Sequence, residues 1–327
     1  MQRQYKAEGK LFPRAHLSLI GFNNSGYRKY GGIGFCFNSP FIEFHVEESK
    51  KMEINLYFLS QKIFYLNEAL IDTLSRICEN KGLDTKYCFS FFLDCPLHSG
   101  FGTGTNISLA CIESVYKINR FEYLPEDLII LSNRGRTSGI GIHTYFKGGF
   151  IMDIGVKNLD SVFLPSNTNN SSLVSKQMLS ISFPEWEFVV CIPRNIIPLS
   201  KQEEISFFRN NTPLLNEDVF RILYVSVFGV VSSVIESDFP AFCQSINDLQ
   251  KTKWKYLEKL NYGKQMDAVE KTLIKAGASA IAMSSLGPSL LVFSNDILKL
   301  TANLDKLNDE FIYFKTSSNN AGRLIYA

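Results

Sequence analysis

The chain has 327 residues, of which 45% are hydrophobic and 20% are charged, and its formal net charge is +2 at pH 7. This length and composition predict an ordinary globular protein with one large domain or two adjoining ones. So small a net charge gives no general basic field, and we therefore expect no nucleic-acid partner.

The cysteines and the apolar stretches bear on metal sites, location and membrane contact. Seven cysteines are spread singly, without a Cys-x-x-Cys pair, which predicts reduced and mostly buried thiols rather than a metal cluster or a disulfide framework. Residues 1–10 are polar and contain no secretory signal. The most apolar stretch, residues 219–235, contains Arg221 and three serines, so it predicts a core helix, too short and polar to span a membrane. We expect a cytoplasmic protein without a membrane partner.

The first half of the chain is dominated by strand patterns. Short apolar runs predict strands at residues 11–22, 30–37, 41–46, 53–59 and 87–93, the second of which is expected to start with a glycine turn. Apolar residues at helical spacing predict helices at 67–81 and 107–118, and another helix from Pro125. Residues 144–146 and 150–153 predict a hairpin that turns at Lys147-Gly148-Gly149.

The second half is richer in helix patterns. Predicted helices occupy residues 215–236, 239–249, 253–260, 264–276 and 295–307, and predicted strands occupy 187–193, 279–283, 289–294 and 311–315. Residues 165–176 are rich in Ser and Asn and predict a linker or flexible loop. Strands early and helices paired with strands late predict an α+β fold, with an N-terminal domain 1–164 and a C-terminal domain 177–327.

Residues 94–106 carry the clearest indication of function. Gly100, Gly102 and Gly104 occupy alternate positions between a predicted strand and a predicted helix. Glycines let the backbone bring its N–H groups close to a ligand, and a helix start adds unpaired N–H groups and partial positive charge. The stretch therefore predicts a phosphate site, with a plain strand-to-helix turn as the alternative. It lacks the Lys-Ser/Thr end of a Walker A loop and the spacing of G-x-G-x-x-G.

The sequence PLHSGFGTGT at 96–105 resembles the phosphate loop of the GHMP kinase superfamily, which usually runs P-x-x-x-G-L-G-S-S. It is more similar to the loop of the β-ribofuranosylaminobenzene 5′-phosphate synthases, P-x-H-x-G-L-G-S-G-T. Three further stretches resemble this family in order, namely RGRTSGIG at 134–141, GGFIMD at 148–153 and MSSLGP at 283–288. RAH at 14–16 and RKYGGIG at 28–34 match more loosely.

The resemblance implies a GHMP-kinase-like fold of two lobes, an N-terminal mixed β-sheet with helices and a C-terminal α/β lobe. It implies an enzyme that joins phosphoribosyl pyrophosphate to a carboxylated aromatic ring, 4-aminobenzoate or a heteroaromatic relative, with release of CO₂ and pyrophosphate. Mg²⁺ is expected, because pyrophosphate leaving the sugar develops negative charge that cations and N–H donors stabilise. The family's habit also implies a homodimer.

The candidate site residues combine the chemistry of the side chains with the resemblance. Arg134 and Arg136 can donate paired hydrogen bonds to phosphate or carboxylate, although both could be solvated surface charges. The predicted catalytic residues are Arg134, Arg136 and His98. The predicted phosphate-binding residues are Gly100, Gly102, Thr103, Gly104, Thr105, Ser138, Gly139, Ser284 and Ser285. Arg14, His16 and Arg28 are expected to contact the substrate from the N-terminal side, and Thr105 and Asp153 to hold the metal.

Two departures from the family pattern leave the acceptor open. Family members carry L-I-D-L-N and D-G-G near the N-terminus, where this chain has LIGFN at 19–23 and Tyr30-Gly31-Gly32. Two acidic side chains are therefore absent, and we expect different handling of substrate or metal on that side. Three hypotheses follow, namely decarboxylating phosphoribosyl transfer, a GHMP-type small-molecule kinase that uses ATP, and a non-catalytic binder of a phosphate ligand.

Overall fold

The computed structural model describes residues 6–24, 26–65, 67–158, 162–166, 168–169 and 172–327. The strands are β1 (Ala7–Leu11), β2 (Arg14–Gly21), β3 (Arg28–Cys36), β4 (Ile42–Ser49), β5 (Glu53–Phe58), β6 (Gln61–Ile63), β7 (Lys86–Leu93), β8 (Phe150–Asp153), β9 (Val156–Lys157), β10 (Gln177–Ile181), β11 (Phe188–Pro193), β12 (Ala280–Met283), β13 (Leu290–Phe293), β14 (Phe311–Thr316) and β15 (Leu324–Tyr326). The helices are α1 (Glu68–Asn80), α2 (Thr103–Ile118), α3 (Pro125–Ser132), α4 (Ile140–Lys147), α5 (Lys201–Asn211), α6 (Asn216–Tyr224), α7 (Ser232–Glu236), α8 (Phe239–Leu249), α9 (Lys253–Leu260), α10 (Gly263–Ala276) and α11 (Ile297–Leu304).

Within these described ranges, the strands form three sheets. One has the order β15-β1-β4-β7-β5-β6, the second has the order β10-β8-β3-β2 with β9 also paired to β3, and the third has the order β12-β13-β11-β14. Strands β5 and β7 run parallel. The first sheet shares a core with helices α1 to α4, whereas the third packs α10 and α11 against one face. This mixture of sheets and helices confirms the predicted α+β class.

The largest core joins the two halves of the chain. It combines apolar residues of β2, β3 and β8 with residues of helices α5 to α9 and of the third sheet. At its centre the Phe22 ring stacks on Trp254, with 4.0 Å between centroids. Strand β10 pairs with β8, and β15 pairs with β1, so C-terminal strands complete two N-terminal sheets. The predicted boundary between 164 and 177 therefore does not separate two independent cores.

The predicted linker, residues 165–176, packs on its neighbours where it is described, and residues 167, 170 and 171 lie outside the description. The Ser175 N–H donates to Gly135 O over 2.7 Å, and the Asn169 side chain donates to Thr137 Oγ1 over 3.0 Å. The Asn169 side chain also donates to Arg136 O over 3.1 Å, and bonds of an Asn side chain to nearby backbone help to fix such a polar loop. The prediction was a linker or a flexible loop, and the described residues form a loop that is hydrogen-bonded to its neighbours.

Two local predictions were wrong. Residues 140–147 form helix α4 rather than a hairpin strand, because Tyr145 is buried and its hydroxyl donates to Glu113 Oε2 over 2.8 Å. The glycine turn predicted at the start of 30–37 lies within β3, which runs on to Cys36. Gly34 is needed there, since a Cβ would lie 2.2 Å from Ala15 O.

Helices α6 and α7 form one continuous helix, Asn216–Glu236, through a π-helical turn at Val225–Val231. Among the described residues it is the one helix long and apolar enough to cross a membrane, so the expectation that it is too short was wrong. Val219, Ile222 and Val230 nevertheless pack into the largest core, as predicted for a core helix. The cysteines are free, and all except half-buried Cys88 are buried, as predicted.

Candidate active site

A cavity of about 370 Å³ lies where four distant segments meet. They are the start of β2, the glycine loop at 97–105, residues 134–138, and the turn at 285–287. The predicted residues that line this cavity are Arg14, His16, His98, Gly100, Gly102, Thr103, Gly104, Thr105, Arg134, Ser138 and Ser285. A larger groove of about 990 Å³ adjoins it beside α1 and shares Arg134. The smaller cavity collects the predicted phosphate-binding residues, and we therefore treat it as the site.

The glycine loop presents an open helix end to this cavity. Helix α2 begins at Thr103, four residues before the predicted start, and Gly102 precedes it without any side-chain cap. The first N–H groups of a helix have no partner inside the helix, so this end favours an anion. Gly100 and Gly102 have φ angles of 85° and 77°, which favour glycine. The backbone geometry thus suits a phosphate.

Two arginines flank the loop. Arg14 lies against Gly102, where a Cβ would sit 3.1 Å from its Cγ, and its Nη1 donates to Gly100 O over 2.5 Å. Arg134 lies over Gly104, where a Cβ would sit 3.0 Å from its Nη2. Burial lowers the pKa of Arg14 to about 10, so Arg14 stays charged at neutral pH, and burial also lowers the pKa of Arg134. Partly desolvated guanidiniums of this kind bind phosphate oxygens strongly.

The turn after β12 forms the second wall and is fastened to the loop. Ser284 is fully buried, and its hydroxyl donates to Gly100 O over 2.8 Å. The His16 backbone N–H donates in turn to Ser284 Oγ over 3.2 Å, and the Ser285 N–H donates to His16 O over 2.9 Å. Ser284 therefore holds the loop in place from behind the cavity, while Ser285 faces it.

His16 lies between the cations and the loop at 134–138. Its Nε2 is 2.9 Å from Ser138 Oγ. Burial, together with the charges of Arg14 and Lys255, holds the pKa of His16 well below its usual value. The imidazole is therefore neutral at physiological pH, and it can share a hydrogen bond without adding charge.

Asp153, Gly139 and Arg28 lie behind the cavity rather than on its wall. Asp153 Oδ2 accepts the Gly139 N–H over 3.0 Å, and Oδ1 accepts the Gly155 N–H over 2.8 Å. Arg28 donates to Ile154 O and Gly155 O over 2.6 and 2.7 Å. Burial raises the pKa of Asp153 to about 7. These side chains hold the turns around Gly139 and Gly155 in place, and the geometry does not place Asp153 or Arg28 against a ligand.

The other two predicted catalytic residues differ in position. His98 is exposed at the cavity rim with a φ of 62°, where it can reach a ligand. Arg136 is not part of the lining, and its carbonyl accepts a hydrogen bond from Asn169 Nδ2 over 3.1 Å. Of the two predicted arginines, the structure therefore brings only Arg134 into the cavity.

The predicted metal pair, Thr105 and Asp153, does not fit a protein-built Mg²⁺ site. Thr105 lines the cavity, but both Asp153 oxygens already accept backbone N–H groups behind it. Across the described part of the chain, no group of three or more His, Cys, Asp or Glu side chains could hold a metal ion. Asp153 therefore acts as a positioning residue of the 138–139 turn.

Several lining residues were missed from the sequence. Tyr65 faces Arg134, and its hydroxyl accepts from Asn67 Nδ2 over 3.2 Å. The cavity is also lined by Leu19, Glu204, Phe208, Glu258 and Leu286. Glu203, next to Glu204, marks the start of α5, because it forms a capping box with Ser200. No motif marked the remaining residues, since their place depends on packing between distant segments.

The two departures from the family pattern are neighbours in space. Gly21 on β2 lies directly opposite Tyr30 on β3. Tyr30 is buried against Phe22 and Phe163, and its hydroxyl accepts the Leu164 N–H over 2.9 Å. An aromatic core therefore fills the place where the family pattern has two acids.

Comparison with known proteins decides the family. The chain is 31% identical to the β-ribofuranosylphenol 5′-phosphate synthase of Methanothermobacter thermautotrophicus over 283 residues, which cover 85% of each protein. The chain belongs to the β-ribofuranosylphenol 5′-phosphate synthase family. Synthases of the same name from Archaeoglobus fulgidus and Methanocaldococcus jannaschii are 27% and 28% identical over 86% and 96% of this chain, and 86% and 98% of their own. No family model matches the chain.

Solved structures confirm the GHMP-kinase fold of this synthase family member. Homoserine kinase from Cytophaga hutchinsonii superposes with a TM-score of 0.66 at 15% identity, covering 100% of this chain and 99% of the kinase. A putative sugar kinase from Campylobacter jejuni gives 0.67 at 13% identity and covers 99% of both chains. At such low identity these structures show the fold alone.

Proposed function

We propose that this synthase family member is a decarboxylating phosphoribosyltransferase that joins phosphoribosyl pyrophosphate to an aromatic or heteroaromatic carboxylic acid. The observation that carries the proposal is the pairing of Arg14 and Arg134 with the glycine loop at the open end of α2. A diphosphate is the ligand that two cations and a set of backbone N–H groups would stabilise together. Mg²⁺ and a homodimer are further parts of the proposal.

Apolar residues in the lining of the cavity support an aromatic acceptor. Leu19, Phe208 and Leu286 line it, and apolar walls of this kind can stack against a flat ring. The curated relatives are named for a ribofuranosylphenol, whereas the sequence led to 4-aminobenzoate. We therefore place 4-hydroxybenzoate beside 4-aminobenzoate as the acceptors to be tried first.

The proposed chemistry balances without a strong base. The ring carbon that bears the carboxylate bonds to C1 of the ribose while the C1–O bond to pyrophosphate breaks, and pyrophosphate keeps that electron pair. The bond from the ring to the carboxylate then breaks, its electrons restore the aromatic ring, and CO₂ leaves. No proton is removed from that carbon, so a neutral His16 is compatible with the reaction. Arg14, Arg134 and the loop would stabilise the leaving group.

The proposal is tested by incubating the protein with Mg²⁺, phosphoribosyl pyrophosphate and a panel of aromatic acids labelled with ¹³C in the carboxylate. We expect labelled CO₂, pyrophosphate and a carbon–carbon glycoside, all visible by NMR, and no product without an acid. Phosphoryl transfer from ATP to a sugar-like alcohol, without pyrophosphate, would instead support a kinase. Thermal stabilisation by phosphoribosyl pyrophosphate without turnover across the panel would support a non-catalytic binder.

A further inference from the structure

Lys255 on α9 is a fully buried cation that the proposed chemistry does not use. Its ammonium pairs with Glu258, one turn later, which is also buried and faces the cavity. A buried ammonium is costly unless its donors are all satisfied. The groups bound by the remaining N–H donors of the Lys255 ammonium therefore indicate the role of this residue.

Those donors point to the second wall of the cavity. Lys255 Nζ donates to Met283 O over 2.8 Å and to Ser285 O over 3.4 Å. An ammonium has three N–H donors, so the Lys255 side chain can bind the Glu258 carboxylate and the carbonyls on either side of Ser284. Ser285 has a φ of 56°, a backbone conformation that a non-glycine residue adopts only when its surroundings enforce it.

The Ser284 turn is in turn hydrogen-bonded to the glycine loop. Ser284, between the two carbonyls bound by Lys255, donates to Gly100 O, and the Ser285 N–H binds His16 O. Lys255 is also close enough to His16 to lower its pKa. The path from Lys255 to the phosphate loop therefore runs through two hydrogen bonds, without any direct contact with a ligand.

We propose that Lys255 is a positioning residue of the diphosphate site, which holds the Ser284 turn, and through it Gly100, in the binding geometry. The proposal rests on the proposed function for the identity of the ligand. A purely structural ion pair would stabilise the fold without changing the affinity for diphosphate.

The test neutralises the pair before measuring binding. In Lys255→Met with Glu258→Gln no buried charge is left unpaired, but the two carbonyls lose their donor. We expect the Kd for inorganic pyrophosphate, measured by calorimetry, and the KM for phosphoribosyl pyrophosphate to rise about ten-fold or more.

Lys259→Met is the matched control. Lys259 lies on the same helix as Lys255, and its Nζ is 3.1 Å from Glu270 Oε1 on α10. The substitution therefore removes an ion pair but leaves the Ser284 turn unchanged. We expect wild-type pyrophosphate affinity in this variant. Wild-type affinity in the folded double variant would overturn the proposal. Lys255→Gln with Glu258→Gln serves as a second variant if the first does not fold, since two amides can still bond to each other.

A ligand-free measurement separates this proposal from the proposed function. Amide hydrogen exchange at Ser285 is expected to speed up in the double variant, because its backbone loses the Lys255 contact. This result needs no turnover, so faster exchange with no synthase activity in the wild type would reject the proposed function alone. Unchanged exchange at Ser285 would reject the role of Lys255 whatever the enzyme's substrate.

Discussion

The two ends of strand β2 differ in how closely they follow the family's sequence pattern. At its start, Arg14 and His16 line the cavity and contact the glycine loop and Ser284, as the family pattern predicts. At its end, Gly21 faces Tyr30 across the sheet, where the family pattern has two acids. One short strand thus joins residues that line the cavity to a region that departs from the family pattern.

The largest effect is expected from a substitution of Arg134, which lines the cavity beside the glycine loop. Arg134→Met removes a cation from the cavity, so kcat/KM for phosphoribosyl pyrophosphate should fall about 10²- to 10³-fold. Arg136→Met is the matched control, because Arg136 does not line the cavity and should cost less than about ten-fold. Steady-state kinetics on both variants measures the difference. Equal losses would show that the cavity is wrongly placed.

A second pair of variants tests the loop. Gly102→Val places a branched side chain at a φ of 77° and against Arg14, so pyrophosphate affinity should fall more than about ten-fold. Gly82→Val imposes similar strain at a φ of 65°, with no atom within 4 Å of the added Cβ. Both variants should lose about 1–2 kcal/mol of unfolding free energy, but only the first should lose affinity by calorimetry. Normal affinity in Gly102→Val would remove the loop from the site.

His143 is expected to affect the pH dependence of stability without affecting ligand binding. Burial lowers the pKa of His143 to about 4, whereas an unfolded histidine titrates at about 6.5. Between these values the unfolded chain binds more protons, so the free energy of unfolding falls as pH drops, by up to about 1.4 kcal/mol per pH unit. His143→Gln should remove the part of this loss that comes from His143 in urea titrations at pH 4 to 7, while the part from buried His16 remains. Pyrophosphate affinity should stay unchanged, because His143 lies outside the cavity lining. An unaltered pH dependence would contradict this assignment.

The smallest effect is expected at the altered end. Tyr30→Phe keeps the ring in the core but leaves the Leu164 N–H without its acceptor, and this should cost about 1 kcal/mol in chemical denaturation. The KM for phosphoribosyl pyrophosphate should not change, since Tyr30 does not line the cavity. A large change in that KM would mean that the two ends of β2 are coupled after all.

Sequence reasoning succeeded where function depends on local backbone geometry. Alternate glycines after a strand and before a helix were enough to predict the loop at Gly100, and the family motifs added Ser284 and Ser285. Sequence reasoning failed where contacts with residues distant in the sequence determine the secondary structure or the role of a side chain. Residues 144–146 were predicted to form a hairpin strand, but they belong to helix α4, in which buried Tyr145 donates to Glu113. Lys255 belongs to no motif, because its role depends on packing against a turn 28 residues away.

The hydrogen bond between Ser284 and Gly100 has a consequence for the synthesis of the protein. It joins residues 184 positions apart, and the His16 bond to the same hydroxyl spans 268 positions. Contacts this distant in sequence form late, after the chain has closed very long loops. A ribosome-bound chain that has emerged only as far as α8 carries the glycine loop without its second wall. The growing chain should therefore gain high affinity for diphosphate only near the end of translation.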